Sequence, residues 1–147
     1  MRKKLLSSLA LIASVTVASV ASAEEPTQYF PRAGKPFSSV IRMGHSVYMS
    51  GVTGAAADGS IPADFTTQAT NAMDAVVARM KQGGATMDDV YKCTIALTDM
   101  NDWDAFNLVY VKYFKPNRFP VRMSFGSTGL GGSAVEVQCE AHAEPKP

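Results

Sequence analysis

The chain has 147 residues, which is enough for one domain, and 18% of them are charged. Its 14 basic side chains nearly balance 13 acidic ones, which argues against a nucleic-acid partner because nonspecific binding needs a basic face that displaces counterions from phosphates. The two cysteines, Cys93 and Cys139, form no CxxC motif and have no histidine at metal-ligand spacing, which excludes zinc-site and thioredoxin-like classes.

The first 23 residues have the pattern of a secretory signal peptide. Arg2, Lys3 and Lys4 precede a run of small and apolar residues from 5 to 20, and small residues at 21–23 supply a cleavage site. A retained membrane anchor is the alternative, although this run is short for a span and is interrupted by serine and threonine. Cleavage after Ala23 leaves 11 basic and 13 acidic residues. We expect a periplasmic or secreted protein with no membrane contact after cleavage.

Residues 24–36 are rich in proline and polar residues, which predicts an extended N-terminal arm before a domain at 37–147. Residues 38–54 predict a β-hairpin, because two short β-rich runs flank the turn signal Gly44-His45. Gly51 and Gly54 then break the second strand, as at a bulge or where a ligand or another backbone comes close.

The next block predicts a helix that follows a capping Asp64 and ends before Gly83-Gly84. Its apolar residues recur at intervals of three and four, at Phe65, Ala69, Ala72, Met73, Val76, Val77 and Met80. Residues 89–98 alternate instead, which predicts a strand. Its two faces carry Tyr91, Cys93, Ile95 and Leu97 on one side and Lys92, Thr94 and Ala96 on the other.

Asn101, with Asp104 three residues later, predicts the cap of a second helix that runs up to Pro116. Its stripe is mostly aromatic and is interpreted as core, not as a cofactor box; it comprises Trp103, Phe106, Val109, Tyr110, Tyr113 and Phe114. Residues 121–127 and 134–143 predict two last strands around a glycine-rich link at 129–132. No Gly-Lys-Ser/Thr follows these glycines, so they do not form a phosphate-binding loop.

The order of elements predicts an α+β fold in which both helices cover one face of a single sheet. The other face then carries a semi-polar set of residues: 44–50, Thr94, Ser124, Glu136, Gln138 and Glu140. Such a face suggests burial against further copies of the chain.

Five residues offer chemistry with an ordinary structural alternative. The two closing strands carry almost no basic side chain other than Arg122. Its planar, always charged guanidinium suits it to bind a carboxylate. A surface salt bridge is the alternative. Cys93 and Cys139 lie on the apolar sides of their strands, so we expect two buried free thiols, with one disulfide as the alternative. His45 and His142 have no neighbouring nucleophile and are interpreted as structural or surface residues.

Several motifs, taken in order and spacing, resemble the RidA/YjgF/L-PSP family of reactive-intermediate or imine deaminases. They are Pro36-Phe37-Ser38, Val47-Tyr48-Met49-Ser50-Gly51, the stretch 97–103, Phe119-Pro120-Val121-Arg122 and the stretch 135–141. The resemblance implies a chorismate-mutase-like fold assembled as a homotrimer with clefts between subunits, and no cofactor or metal. In active members an arginine at the Arg122 position grips the carboxylate of a 2-imino acid while water hydrolyses the C=N bond to a 2-keto acid and ammonia.

The resemblance also assigns Ser50 and Asn107 as polar substrate contacts, and it shows two departures. The family usually has an aromatic residue that bears a hydroxyl at the position of Phe37, and Phe37 keeps the ring but lacks the hydroxyl. Gln138 replaces the carboxylate that orients the attacking water, so no base is available at that position. We hypothesise that Glu136 or Glu140 supplies the missing carboxylate; a solvated or subunit-contacting strand face is the alternative.

Three functions remain open at this stage. The first is 2-imino acid deamination, and the second is binding of a small carboxylate in the same clefts without turnover. The third is a holdase-like interaction protein, which nothing in the sequence favours. Ribonuclease activity is disfavoured, because the sequence shows no basic stripe, histidine pair or metal cluster.

Overall fold

The computed structural model describes residues 25–145, and the predicted signal peptide lies outside the described residues. Within this range the strands are β1 Gln28–Pro31, β2 Ser38–Met43, β3 Ser46–Met49, β4 Val52–Thr53, β5 Val90–Leu97, β6 Val121–Gly126 and β7 Val135–His142. The helices are α1 Phe65–Gln82 and α2 Trp103–Tyr110, and short 3₁₀ turns flank α2 at Met100–Asp102 and Val111–Tyr113.

The strands form one mixed sheet in the order β1-β2-β3-β7-β5-β6, with β4 also paired to β7. All pairings are antiparallel except that of β5 with β6, which α2 connects as a crossover. Strand β6 is therefore the last strand at one edge of the sheet, and the residues around it are positioned by α2.

Both helices pack on one face of the sheet, so the predicted α+β architecture is confirmed. The Asp64 side chain accepts a hydrogen bond from the Thr67 backbone at 2.7 Å, which confirms the predicted cap of α1. Val77 of the predicted α1 stripe is 38% exposed and Phe65 is only partly buried. The rest of the stripe and the aromatic residues Phe106 and Tyr110 of α2 are buried against the inner sides of β3, β5 and β7. We call this the helix face of the sheet, and its opposite the open face.

The predicted N-terminal arm contains a strand that the sequence did not indicate. Residues 28–31 pair with β2 at the far edge of the sheet, with Tyr29 opposite Ile41. This pairing depends on a partner strand ten residues later, which local composition cannot reveal. Pro31 is tolerated there because an edge strand leaves backbone N–H groups without ladder partners.

Two local predictions were wrong. The cap at the start of the second helical region is Asp99, whose carboxylate accepts a hydrogen bond from the Asn101 N–H at 2.8 Å, so Asn101 is not the cap. Tyr91 does not share the buried side of Cys93, because the pairing of β5 with β7 shifts register between Val90 and Lys92. This bulge buries Val90 and leaves Tyr91 exposed.

A disulfide joins Cys93 to Cys139, so the expectation of two free thiols was wrong. The two residues lie directly opposite each other on β5 and β7, and both are buried in the core. Strand parity identified their burial, but only the register of the two strands brings the sulfur atoms together.

Arg42 is a buried cation that the sequence analysis did not single out. Its Nη1 donates to the Gly83 carbonyl at the end of α1 at 2.8 Å, and its Nη2 donates to the Ala143 carbonyl after β7 at 2.7 Å. The side chain therefore links β2, the C-terminus of α1 and the end of β7, and carbonyls at a helix C-terminus favour such a cation.

Candidate functional site

Arg122 lies on β6 and points to the helix face. It is in register with Cys93 of β5, whose side chain is buried under the helices, and paired residues of adjacent strands share a face. The Arg122 guanidinium stacks on two aromatic rings of α2, 4.3 Å from the ring centroid of Trp103 and 4.9 Å from that of Tyr110. Two rings at this range attract the cation and fix the plane of the guanidinium.

The Arg122 guanidinium is a cation without an anionic partner in the part of the chain that the structure describes. The three ion pairs found among residues 25–145 involve other side chains, so the alternative of a surface salt bridge is not met there. A guanidinium held flat with unused N–H donors is suited to bind a carboxylate from outside the chain.

Three buried polar atoms near Arg122 also have no hydrogen-bond partner among the described residues: Asn107 Oδ1, Tyr110 Oη and Ser124 Oγ. Buried polar groups are nearly always paired, so a cluster of unpaired ones beside a free cation indicates a place for a ligand. Burial raises the pKa of Tyr110 to about 12, although the charge of Arg122 acts in the opposite direction. Tyr110 therefore stays a neutral hydroxyl that can donate a hydrogen bond.

A cavity of about 260 Å³ joins Arg122 to Asn107 and Tyr110, whereas Ser124 does not line it. It is lined by Asn107, Tyr110, Val111, Phe119, Pro120 and Arg122. The lining thus combines apolar residues with a cation and an amide, as small-molecule sites usually do. We call this cavity the clamp cavity.

Tyr110 and Ser124 were not predicted as site residues. Tyr110 was interpreted as core, although its spacing of three residues from Asn107 places both on one side of α2. Ser124 was assigned to the open face, but it is in register with the buried Ile95 and so lies on the helix face. The alternation of β6 from Arg122 would have indicated this, since residues two apart share a face.

A second cavity, of about 350 Å³, lies on the open face around the middle of β7. It is lined by Gly51, Thr94, Ala96, Phe125, Ser127, Leu130, Glu136 and Gln138. We call it the open-face cavity. Ser50 precedes Gly51 at its margin and donates its hydroxyl to the Ser38 carbonyl at 2.7 Å, while the neighbouring Phe37 is 45% exposed.

Glu140, also on the open face, is occupied by neighbours. Its two carboxylate oxygens accept hydrogen bonds from Lys92 Nζ at 2.9 Å and from the Tyr91 hydroxyl at 2.8 Å. The hydrogen bond from Lys92 is the largest cause that lowers the pKa of Glu140, and the same carboxylate raises the pKa of Tyr91 to about 12. Glu140 is therefore tied into a surface network by the bulge at Tyr91.

The predicted site residues form two groups that one chain does not bring together. Arg122 and Asn107 line the clamp cavity on the helix face. Gln138 lines the open-face cavity near Ser50. It pairs with Thr94, which points away from the helices because its neighbour Cys93 points towards them. The sheet lies between the two groups.

His45 and His142 meet in space although they are far apart in sequence. Their rings stack with centroids 5.3 Å apart, and His45 Nδ1 lies 3.3 Å from Glu144 Oε2. The two rings come together because β3 and β7 are adjacent in the sheet, which the sequence analysis did not indicate. Both residues are exposed, and no group of three or more His, Cys, Asp or Glu among residues 25–145 is arranged to hold a metal. None of the helices there is long and apolar enough to cross a membrane.

Comparison with known proteins decides the family. Residues 27–143 match the family model described as Endoribonuclease L-PSP. The chain belongs to the RidA/YjgF/L-PSP family. Among curated proteins of this family, the 2-iminobutanoate/2-iminopropanoate deaminase of Capra hircus is 30% identical over 118 residues, covering 78% of this chain and 85% of the relative. A RutC family protein of Haemophilus influenzae is 34% identical over 95 residues, covering 64% and 73%.

Solved structures of the RidA/YjgF/L-PSP family share the fold. A Rid family protein of unknown function from Yersinia pestis superposes with a TM-score of 0.74 at 28% identity, covering 80% of this chain and all of that one. The fold that the sequence resemblance implied is therefore confirmed.

Proposed function

We propose that this RidA/YjgF/L-PSP member hydrolyses 2-imino acids to 2-keto acids and ammonia. The observation that carries the proposal is the free, stacked Arg122 guanidinium in a cavity with unpaired polar atoms of Asn107 and Tyr110. A deaminase name on relatives such as the Capra hircus protein supports the same reaction. Arg122 would bind the substrate carboxylate with two N–H groups, and the unpaired polar atoms would orient the rest of the molecule.

The clamp cavity suits 2-imino acids with small apolar side chains. Val111, Phe119 and Pro120 supply apolar walls, and none of the residues that line the cavity is acidic. A second carboxylate or an ammonium group on the substrate side chain would lose its hydration against such walls without a partner. Substrates derived from short aliphatic amino acids fit this chemistry.

A complete site requires two copies of the chain, arranged as a homotrimer with clefts between subunits. The open face of β6 exposes Val121, Met123 and Phe125 by 70%, 59% and 47%, an apolar strip that would be costly to leave in water. Covering this strip with a neighbouring copy would hide it and would bring a clamp cavity beside an open-face cavity. A monomeric mass by light scattering would contradict this assembly.

A second candidate is binding of a small carboxylate without turnover. Phe37 has no hydroxyl to hold water, and Gln138 cannot accept a proton, so the positions that depart from the family pattern favour it. Signal-peptide cleavage would place either activity in the periplasm or outside the cell, away from cytosolic sources of imines.

Turnover and binding can be separated with residues 24–147, which retain a single tryptophan, Trp103. Because Trp103 stacks on Arg122, its fluorescence reports ligand binding directly. Turnover is measured on imines made in situ from alanine or 2-aminobutanoate by an amino-acid oxidase, with semicarbazide trapping of the remaining imine. We expect faster imine loss with the wild-type chain and none above background with Arg122→Ala.

The matched control is Arg118→Ala, because Arg118 is an exposed arginine whose hydrogen bond to the Asp88 carbonyl is long, at 3.5 Å. It should keep both turnover and the fluorescence change. Saturable fluorescence quenching without any turnover would contradict the deaminase proposal and support carboxylate binding without turnover. Equal turnover in the two variants would exclude Arg122 as the clamp.

A further inference from the structure

We propose that Glu136 is the general base of this protein and takes the role that Gln138 cannot fill. The inference rests on the proposed deaminase function and adds a catalytic residue to it. Hydrolysis of an imine needs a group that removes a proton from water, and an amide does not do so at any physiological pH.

Glu136 is the carboxylate that remains available on the open face of β7. Both oxygens of Glu140 are engaged by Lys92 and Tyr91, which removes it from consideration. Glu136 has no cationic partner within 4.0 Å among residues 25–145, and it lines the open-face cavity together with Gln138. A half-buried, unpaired carboxylate in a cavity is the type of group that enzymes use as a base.

The absence of a side chain at Gly51 leaves the space that the Glu136 carboxylate occupies. Its Oε1 lies only 2.0 Å from the point that a Cβ on residue 51 would occupy, so any larger residue there would displace the carboxylate. Glu136 is opposite Thr53 in the pairing of β4 with β7, which holds it beside the Ser50-Gly51 segment. The break that the sequence shows at Gly51 is thus a site where a carboxylate approaches the backbone closely.

The chemistry moves two protons, each by way of Glu136, and needs only water besides the imine. Glu136 removes a proton from water as the water oxygen bonds to the imine carbon, and it passes that proton to the nitrogen to give a carbinolamine. It then removes the hydroxyl proton and delivers it to nitrogen as the C–N bond breaks, which releases ammonia and the 2-keto acid. Gln138, two residues away on the same face, can hold the water by hydrogen bonds without accepting a proton.

Three variants test the assignment. Glu136→Gln should lower kcat by about 100-fold, the usual effect of losing a general base, while the Trp103 fluorescence titration with pyruvate stays within about two-fold. Gly51→Ala should also lower kcat, because it moves the carboxylate without removing its charge. Glu136→Gln combined with Gln138→Glu moves the carboxylate by two residues and should recover most of the lost rate.

Glu144→Gln is the control, because Glu144 lies beyond β7 and is 85% exposed. Equal imine turnover by the wild-type chain and by Glu136→Gln would refute Glu136 as the base and leave the deaminase proposal intact. A wild-type chain with no turnover would overturn both. Turnover lost in Glu136→Gln and regained in the double variant would establish the assignment, since a structural role does not follow a carboxylate to a new position.

Discussion

The disulfide between Cys93 and Cys139 should be the largest single covalent contribution to stability in the described domain. The two residues are 46 positions apart, and closing a loop of that length in the unfolded chain is worth about 4 kcal/mol in the chain-entropy description. A domain of this size unfolds with an entropy of roughly 0.25 kcal/mol/K. Replacing both cysteines with alanine should therefore lower Tm by about 15 °C.

The measurement is thermal unfolding of the wild-type chain and of the Cys93→Ala/Cys139→Ala variant at equal protein concentration, because assembly also raises Tm. Unfolding the wild type in denaturant with a reductant should reproduce the variant's stability. An oxidised wild type that melts within about 5 °C of the variant would refute the loop-entropy argument. Two titratable thiols in the unfolded, unreduced wild type would refute the disulfide itself.

Three further predictions concern single side chains. Trp103→Leu should weaken pyruvate binding roughly five-fold, since about 1 kcal/mol of cation–π attraction to Arg122 is lost; calorimetric titration measures this, and an unaffected Kd would contradict a role for the stack. Glu140→Gln should weaken the fall of Tm that the wild-type chain shows as the pH is lowered. The pKa of Glu140 is lowered from 4.5 by Lys92, so its contribution is present above that pH and is lost as pH falls through the folded-state pKa; an unchanged profile would contradict it. Arg42→Met should cost roughly 3 kcal/mol, because two buried carbonyls lose their donors, and an unaltered urea midpoint would show that these carbonyls find water instead.

Local signals predicted much of the fold. The hairpin around Gly44-His45 and the helix after Asp64 were found because turn residues and caps act over a few positions. The strand at 28–31 and the bulge at Tyr91 were missed, because each depends on a partner strand that composition does not reveal. The same reason explains why Cys93 and Cys139 were expected to be free thiols.

The sequence predicted the central residue of the candidate site but not the contacts around it. Arg122 was identified by its chemistry, because few residues can grip a carboxylate in that setting. Its stacking on Trp103 and the unpaired hydroxyl of Tyr110 depend on how the crossover α2 lies over the edge strand β6. The occupation of Glu140 by Lys92 and Tyr91 likewise follows from a bulge that alternation alone does not reveal.

The separation of the two groups of site residues by the sheet has a genetic consequence. If each cleft takes Arg122 from one copy and Glu136 from the next, Arg122→Ala and Glu136→Gln chains fail for different reasons. In trimers assembled at random from equal amounts of the two chains, about one cleft in four takes Arg122 from a Glu136→Gln chain and Glu136 from an Arg122→Ala chain. Two alleles that are inactive alone would then complement each other when they are expressed in the same cell.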